Sequence, residues 1–330
     1  MRRFFALLLL AACEGASEPD APALDARVDE PAVPRDAAAP DASSDGGTGM
    51  RIPHALETAR VWIPAHERYV NEPTLIRADD GTWHVFSNGA EGKGNPWVEL
   101  QLLHATAPAL RGPWTDQPDI LSTRDADAIE GALHAPYVMR HGAGYKIFYF
   151  DSTMEEGKGL RSASSSDLYT WKRDPGSYPG GRDPMILAHR GTNYLYTTST
   201  ELEADESHDI VHLQSAPDLM GWTTLAPALR NPEPCPGSCW GWLESPFVFA
   251  RAGGFYLFTT FTSSDFETYE RTWVLFSEDP THFEAEPITT LLAHGGEVHE
   301  EDGTLYLTHG GWPEKLASRQ PGLYVTRLAW

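Results

Sequence analysis

Trp242-Leu-Glu-Ser-Pro-Phe-Val-Phe-Ala-Arg-Ala-Gly-Gly-Phe-Tyr-Leu-Phe258 reads as a β-hairpin. A short apolar strand (Phe247 to Phe249) leads through a Gly253-Gly254 turn into an aromatic strand, Phe255 to Phe258. One acidic residue, Glu244, stands directly before the first strand, between Trp242 and Pro246. A carboxylate beside an indole and other apolar groups loses hydration, which is the environment a working general acid needs. A solvated loop glutamate would look the same in isolation, so the weight rests on repetition.

The template of X-Pro, apolar strand, turn and Tyr/Trp-rich strand recurs along the chain. It begins at Glu72-Pro73 and runs to Phe86, then at Ala135-Pro136 to Tyr149, then at Asp183-Pro184 to Tyr196. The Glu244-Ser245-Pro246 copy follows, and a fifth, without proline, starts at Glu297 and runs to Leu307. Behind the first four lies a second recurring element, at Ala105–Thr115, Ser164–Lys172, Ser215–Thr223 and Ser277–Ala285. Fixed-order repeats of roughly 50–60 residues, built from short strands and turns, predict a β-propeller with four strands per blade. Five copies predict five blades in an all-β fold, and no long amphipathic helix pattern competes.

The N-terminal segment has a different character. Arg2 and Arg3 precede an apolar run, Phe4 to Leu10, that is too short to span a bilayer and fits the core of a signal peptide. It ends in Leu10-Ala11-Ala12-Cys13, which resembles the lipobox of bacterial lipoproteins. That resemblance implies lipidation of Cys13 and an exported, membrane-anchored protein at the outer membrane or cell surface. Residues 14–50 are rich in Ala, Pro, Asp, Ser and Gly, with nine acidic residues against two arginines. They cannot bury enough apolar surface to offset their ordering entropy, so a disordered linker is expected. Most of the formal charge of −22 falls on residues 51–330, one propeller domain too acidic to favour nucleic acid as a partner. Cys235 and Cys239 flank a Pro-Gly turn and can close a small disulfide loop in an exported protein, with a free-thiol pair as the alternative.

In a propeller the first strand of each blade lines the axis, and its starting residues ring one mouth of the channel. Glu72, Asp183, Ser245 and, one residue earlier, Glu244 are therefore expected on one rim. Carboxylates gathered there repel one another and raise each other's pKa values, which is useful where one must hold a proton and another must not. Glycosidic bond hydrolysis needs such a pair.

At these residues the chain resembles the five-bladed propeller glycosidases: family 43 (arabinanases, arabinofuranosidases, xylosidases) and families 32 and 68 (invertases, fructanases, levansucrases). The matching tripeptides are Asn71-Glu72-Pro73, Arg182-Asp183-Pro184 and Glu244-Ser245-Pro246, within a resemblance covering roughly residues 60 to 330. It implies Glu244 as general acid, Asp183 as transition-state stabiliser or pKa tuner, and Glu72 as base or nucleophile. Blade one departs from the family by carrying Glu in place of Asp, which shifts the carboxylate by about 1 Å or more. The family 43 pattern points to inversion at the anomeric carbon, while Arg182-Asp183-Pro184 leans towards the retaining families; inversion is the expectation adopted.

Around these residues, Trp97, Trp242 and Trp312 lie in loop-like contexts suited to stacking on sugars, and His134 and Arg182 are candidates for binding substrate hydroxyls. His294 resembles the blade-five histidine that in family 43 relatives helps hold an axial ion. A purely structural role competes for both histidines. Ser165-Ser166-Asp167-Leu-Tyr-Thr-Trp171 resembles the Asp-box of sialidases without its glycine, and with no arginine triad beside it that enzyme is set aside. No cofactor is required, though a structural Ca2+ on the axis would fit the pattern. The expectation is a monomeric hydrolase of furanosides or pentosides, with a carbohydrate as its partner. The alternative is a non-catalytic glycan-binding propeller with a degenerate site.

Overall fold

The four X-Pro copies become the inner strands of four of five antiparallel sheets. The computed structural model describes residues 49–90, 99–152, 159–203, 206–235, 242–251, 253–261, 271–310 and 321–330, all within the unit Pro40–Trp330. Cys13, the signal peptide and nearly all of the expected linker lie outside the described residues, as do Trp97, Cys239 and Trp312.

Blade one consists of Asn71–Arg77, Trp83–Asn88, Gln101–Ala107 and Thr115–Ser122. Blade two consists of His134–His141, Gly144–Phe150, Leu160–Ser165 and Lys172–Arg173. Blade three consists of Arg182–His189, Thr192–Glu203, Glu206–Ala216 and Thr223–Thr224, with Leu229–Arg230 also pairing on its third strand. Blade four consists of Leu243–Arg251, Gly254–Phe261, Arg271–Ser277 and Thr289–Leu292. Each inner strand packs on that of the next blade, and the fifth packs on the first, which closes the ring.

Blade five corrects the sequence reading in two ways. Its inner strand is His294–Glu301, so the repeat unit opens three residues before Glu297, where no proline marks it. Its outermost strand comes from the other end of the domain: His54–Trp62 pairs antiparallel with Leu323–Ala329. Trp62 Nε1 also donates to Asp116 Oδ1 at 2.6 Å, which ties the closing strand to blade one.

The aromatic run of each repeat is the second strand, and its composition follows from its position. Both of its faces pack against neighbouring blades, so apolar residues fill successive positions instead of alternating, as in Gly144–Phe150. Tyr149, Tyr196, Tyr256, Phe86, Phe148 and Phe258 are fully buried. Five apolar clusters result, one in each seam between adjacent blades. Truncating one such ring to alanine costs about 3–5 kcal/mol.

The second recurring element forms tight outer turns. Asp167 Oδ1 accepts the Tyr169 and Thr170 amides at 2.9 and 2.7 Å, which accounts for the Asp-box likeness. Asp218 accepts the Met220 amide at 3.0 Å and Asp279 the Thr281 amide at 2.8 Å in the same way.

The seam between blades one and two also buries two histidines. His84 Nδ1 lies 3.0 Å from His104 Nε2, so one ring donates and the other accepts. Tyr169 of blade two presses edge-on against both rings. Burial lowers His84 to about 4, and burial together with the His84 charge lowers His104 to about 3. Both are thus neutral in the fold, whereas in the unfolded chain they protonate near pH 6.5. Their contribution to stability is complete above that pH and falls away as pH drops from about 6.5 towards 3–4. Replacing both with leucine should flatten the acid side of a plot of urea midpoint against pH, measured by tryptophan fluorescence. An unchanged slope would contradict this account.

Candidate active site

Each inner strand begins with the same irregularity. Between Asn71 and Thr74, His134 and Tyr137, Arg182 and Met185, Glu244 and Phe247, and His294 and Glu297, the register slips against the second strand. The slip is a bulge, which re-aims successive side chains. The residue inside it has left-handed backbone every time: Glu72 (φ 48°), Ala135 (44°), Asp183 (57°), Ser245 (52°) and Gly295 (58°). Two tiers of side chains follow. Asn71, His134, Arg182, Glu244 and His294 stand just before the bulges, and Glu72, Ala135, Asp183, Ser245 and Gly295 stand at them. The second tier lines a central cavity together with Pro73, Pro136, Pro184 and Pro246.

The expected carboxylates therefore meet. One oxygen of Glu72, one of Glu244 and one ring nitrogen of His294 all lie within 4.8 Å of one another. Ser245 bridges two of the carboxylates: its Oγ donates to Glu72 Oε1 at 2.9 Å and its amide to Asp183 Oδ2 at 3.1 Å. Thr198 Oγ1 donates to the same Asp183 oxygen at 2.8 Å. Gly295 leaves room for Glu72, because an added Cβ would sit 3.1 Å from Glu72 Cα.

Glu72 is partly exposed to the cavity but enclosed by protein on its other sides. Burial first, then the charges of Asp183 and Glu244, push its carboxyl well above the ordinary range, and the Ser245 hydrogen bond opposes them. Its proton is therefore held more tightly than that of an ordinary carboxyl. Arg182 is buried; desolvation works against its charge, but Asp183, Asp209, Glu244 and Glu72 outweigh it and hold the guanidinium above its usual value. Its Nη2 donates to Leu243 O at 3.1 Å, and its Nε lies 3.7 Å from Asp183 Oδ2. Arg182 thus braces the protein frame behind the cavity.

Two further substrate-binding candidates are also buried among protein groups. His134 is buried, with Nδ1 2.6 Å from Glu99 Oε2 and Nε2 2.9 Å from Ser152 Oγ, so both ring nitrogens are engaged by protein groups. Glu99 also accepts from Tyr69 at 2.5 Å and Asn88 at 2.8 Å, making it the hub of a buried network the sequence did not mark. Trp242 is buried against Cys235. Cys235 is disulfide-bonded. Ser245 stands on the rim as expected, and Asp209 is the other residue missed. Ser245 carried the signal of its X-Pro position, whereas Asp209, in a third strand, carried none.

A cation at Glu72, Glu244 and His294 would meet two carboxylates and an imidazole, a mixed donor set. That set suits a metal that accepts nitrogen; Ca2+, which takes six to eight oxygens, would draw most of its ligands from water.

Residues 178–329 match the family model of glycosyl hydrolases family 43. The matched part holds Asp183, Asp209, Glu244 and His294, and blade one with Glu72 lies outside it. The chain is 27% identical over 139 residues to the probable arabinan endo-1,5-alpha-L-arabinosidase A of Aspergillus flavus, covering 38% of this chain and 40% of the relative's length. The GH43_1 enzyme from Xanthomonas citri superposes with a TM-score of 0.57 at 15% identity, covering 83% of this chain and 90% of that one. The Bombyx mori GH32 beta-fructofuranosidase superposes with a TM-score of 0.57 at 16% identity, covering 79% and 62%. At these identities the structures establish a shared five-bladed fold.

Ser245 provides a direct test of the electrostatics. Ser245→Ala removes the hydrogen bond that lowers Glu72, and Ala135 shows that alanine holds this backbone conformation in blade two. The Glu72 midpoint, followed by carboxyl 13C NMR, should move to higher pH; an unchanged or lower midpoint would sink the assignment.

Proposed function

We propose that the domain is a glycoside hydrolase acting on furanosides or pentosides, on a lipid anchor at Cys13 outside the cytoplasm. The observation that supports it is the convergence of Glu72 and Glu244, from blades one and four, with Glu72 and Asp183 lining the central cavity. The family 43 match over blades three to five and the arabinosidase relative favour a pentose-containing glycan.

The chemistry needs one proton on the pair. Burial favours the proton on Glu72, so the reaction runs from the state in which that proton has passed to Glu244: Glu244 then gives it to the departing glycosidic oxygen while ionised Glu72 faces the anomeric carbon. Asp183, fixed by Thr198 and Ser245, keeps a negative charge beside the oxocarbenium-like transition state. Repulsion among the three carboxylates disfavours full ionisation, which keeps the proton available. A cation held by Glu72, Glu244 and His294 would offset this repulsion.

The nearest oxygens of Glu72 and Glu244 lie within 4.8 Å of each other. Carboxyl groups with a water between them stand about 6.5–9.5 Å apart, and those of direct attack about 5–5.5 Å. A nearest-oxygen separation of this size is compatible with attack by Glu72 itself, and we adopt that in place of the inversion expected from the sequence. Its carboxylate oxygen bonds to the anomeric carbon as the leaving oxygen takes the Glu244 proton; water then cleaves the ester and returns a proton to Glu244. Net retention in the first product anomer, followed by proton NMR, is the expected result, and an inverted anomer would rule out the covalent step.

A panel of nitrophenyl furanosides and pentosides, run beside binding assays on whole polysaccharides, tests the reading as a whole. Polysaccharide binding without turnover of any glycoside would replace it with the glycan-binding alternative. On substrates that are turned over, Glu244→Gln should lower rates about 10²–10⁴-fold where the leaving group is poor and far less where it is good. Equal losses would remove Glu244 as the acid.

A further inference from the structure

Asp209 lies in the third strand of blade three, one layer behind the cavity, and is fully buried. Its Oδ2 accepts the Leu243 amide at 2.6 Å, a short charge-assisted bond one residue before Glu244. Arg182 Nη2 stands 3.8 Å from the same oxygen and donates to Leu243 O at 3.1 Å, so both backbone polar groups of Leu243 are gripped from blade three. On the other side of Glu244, the Ser245 amide is held by Asp183 at 3.1 Å. The Glu244 carbonyl itself accepts from Thr259 Oγ1 at 3.0 Å. The backbone of Leu243, Glu244 and Ser245 is thus clamped on both sides of the side chain that must meet the leaving oxygen.

Keeping a carboxylate in this place is expensive. Burial pushes Asp209 up to about 7, with Arg182 and the Leu243 amide opposing it and the Glu244 and Asp183 charges adding to it. Among the described residues, no hydrogen bond reaches its Oδ1. A purely packing role in the blade would be filled better by an apolar residue of similar volume. What an apolar residue cannot do is accept the Leu243 amide and face Arg182.

We propose that Asp209 is a positioning residue for Glu244: it anchors the Leu243 amide and, through Arg182, links the Glu244 segment to Asp183. The proposal rests on the reading of Glu244 as the general acid. Misplacing such an acid by about 1 Å costs about 10²-fold in rate, and only where protonation of the leaving group is needed.

The experiment compares alkyl and dinitrophenyl glycosides of the sugar that the unmutated protein turns over, in Asp209→Ala and Asp209→Asn. Asp209→Ala should lose about 100-fold in kcat/KM on alkyl substrates and stay within about threefold on dinitrophenyl ones. Asp209→Asn keeps an acceptor for Leu243 and should recover most of the alkyl activity. Equal losses on both substrate types, or none, would overturn the proposal. Amide exchange supplies the arm that needs neither activity nor a folded Ala variant. In the unmutated protein the Leu243 amide proton should resonate far downfield and exchange as slowly as core amides. Loop-like exchange there would overturn the clamp. A protein inactive on every glycoside yet slow at Leu243 would retire the hydrolase reading and keep the clamp.

Discussion

The structure depends on a left-handed residue at the start of every inner strand. Four of the five, Glu72, Ala135, Asp183 and Ser245, are not glycine, and each precedes a proline. Such a backbone costs on the order of 1–3 kcal/mol per residue, and a following proline disfavours helical conformations further. The surrounding fold has to impose it. The bulge it creates lets two consecutive residues of each blade face inward, where a regular strand would present one. Without it, Glu244 and Ser245 would point to opposite faces of their sheet.

The tertiary bonds that hold the ring run through the same region. Glu297 Oε2 accepts the Leu75 amide at 3.1 Å, Thr74 Oγ1 accepts the Val138 amide at 3.1 Å, and Tyr137 donates to Ile186 O at 2.9 Å. Glu297, Thr74 and Tyr137 are the residues that follow the bulge and its proline or glycine in blades five, one and two. They carry the contact from blade to blade around the axis, while the apolar seams hold the blades farther out. The cavity wall and the ring closure are therefore one construction, and strain at the bulges is held by bonds just below them.

Electrostatics sets the opposite demand. Glu72, Asp183 and Glu244 repel, and burial adds to the penalty, as the upward shift of Glu72 records. The frame answers with directed groups: Ser245 between Glu72 and Asp183, and Arg182 between Asp183 and Asp209. A longer side chain in blade one fits this arrangement, because blade five places glycine beside it at position 295.

The sequence by itself determined the architecture and the carboxylates. Proline fixes its own φ and restricts its predecessor, so each X-Pro copy leaves a local mark. The aromatic second strands leave another, because burial on both faces removes alternation. Those marks located four blades, Glu72, Asp183 and Glu244. They misplaced the start of blade five, where Gly296 stands in the proline position and the repeat was phased on Glu297 instead of His294. Only the tertiary structure decided the rest, because the remaining partners are set by side-chain direction between distant strands. His54–Trp62 closes the ring from the far end of the domain, and no local pattern records that pairing. His134 and Trp242 face inward to protein partners, although their sequence contexts match those of exposed binding residues. Asp209 has no motif around it; its importance comes from a 2.6 Å bond to a residue 34 positions away.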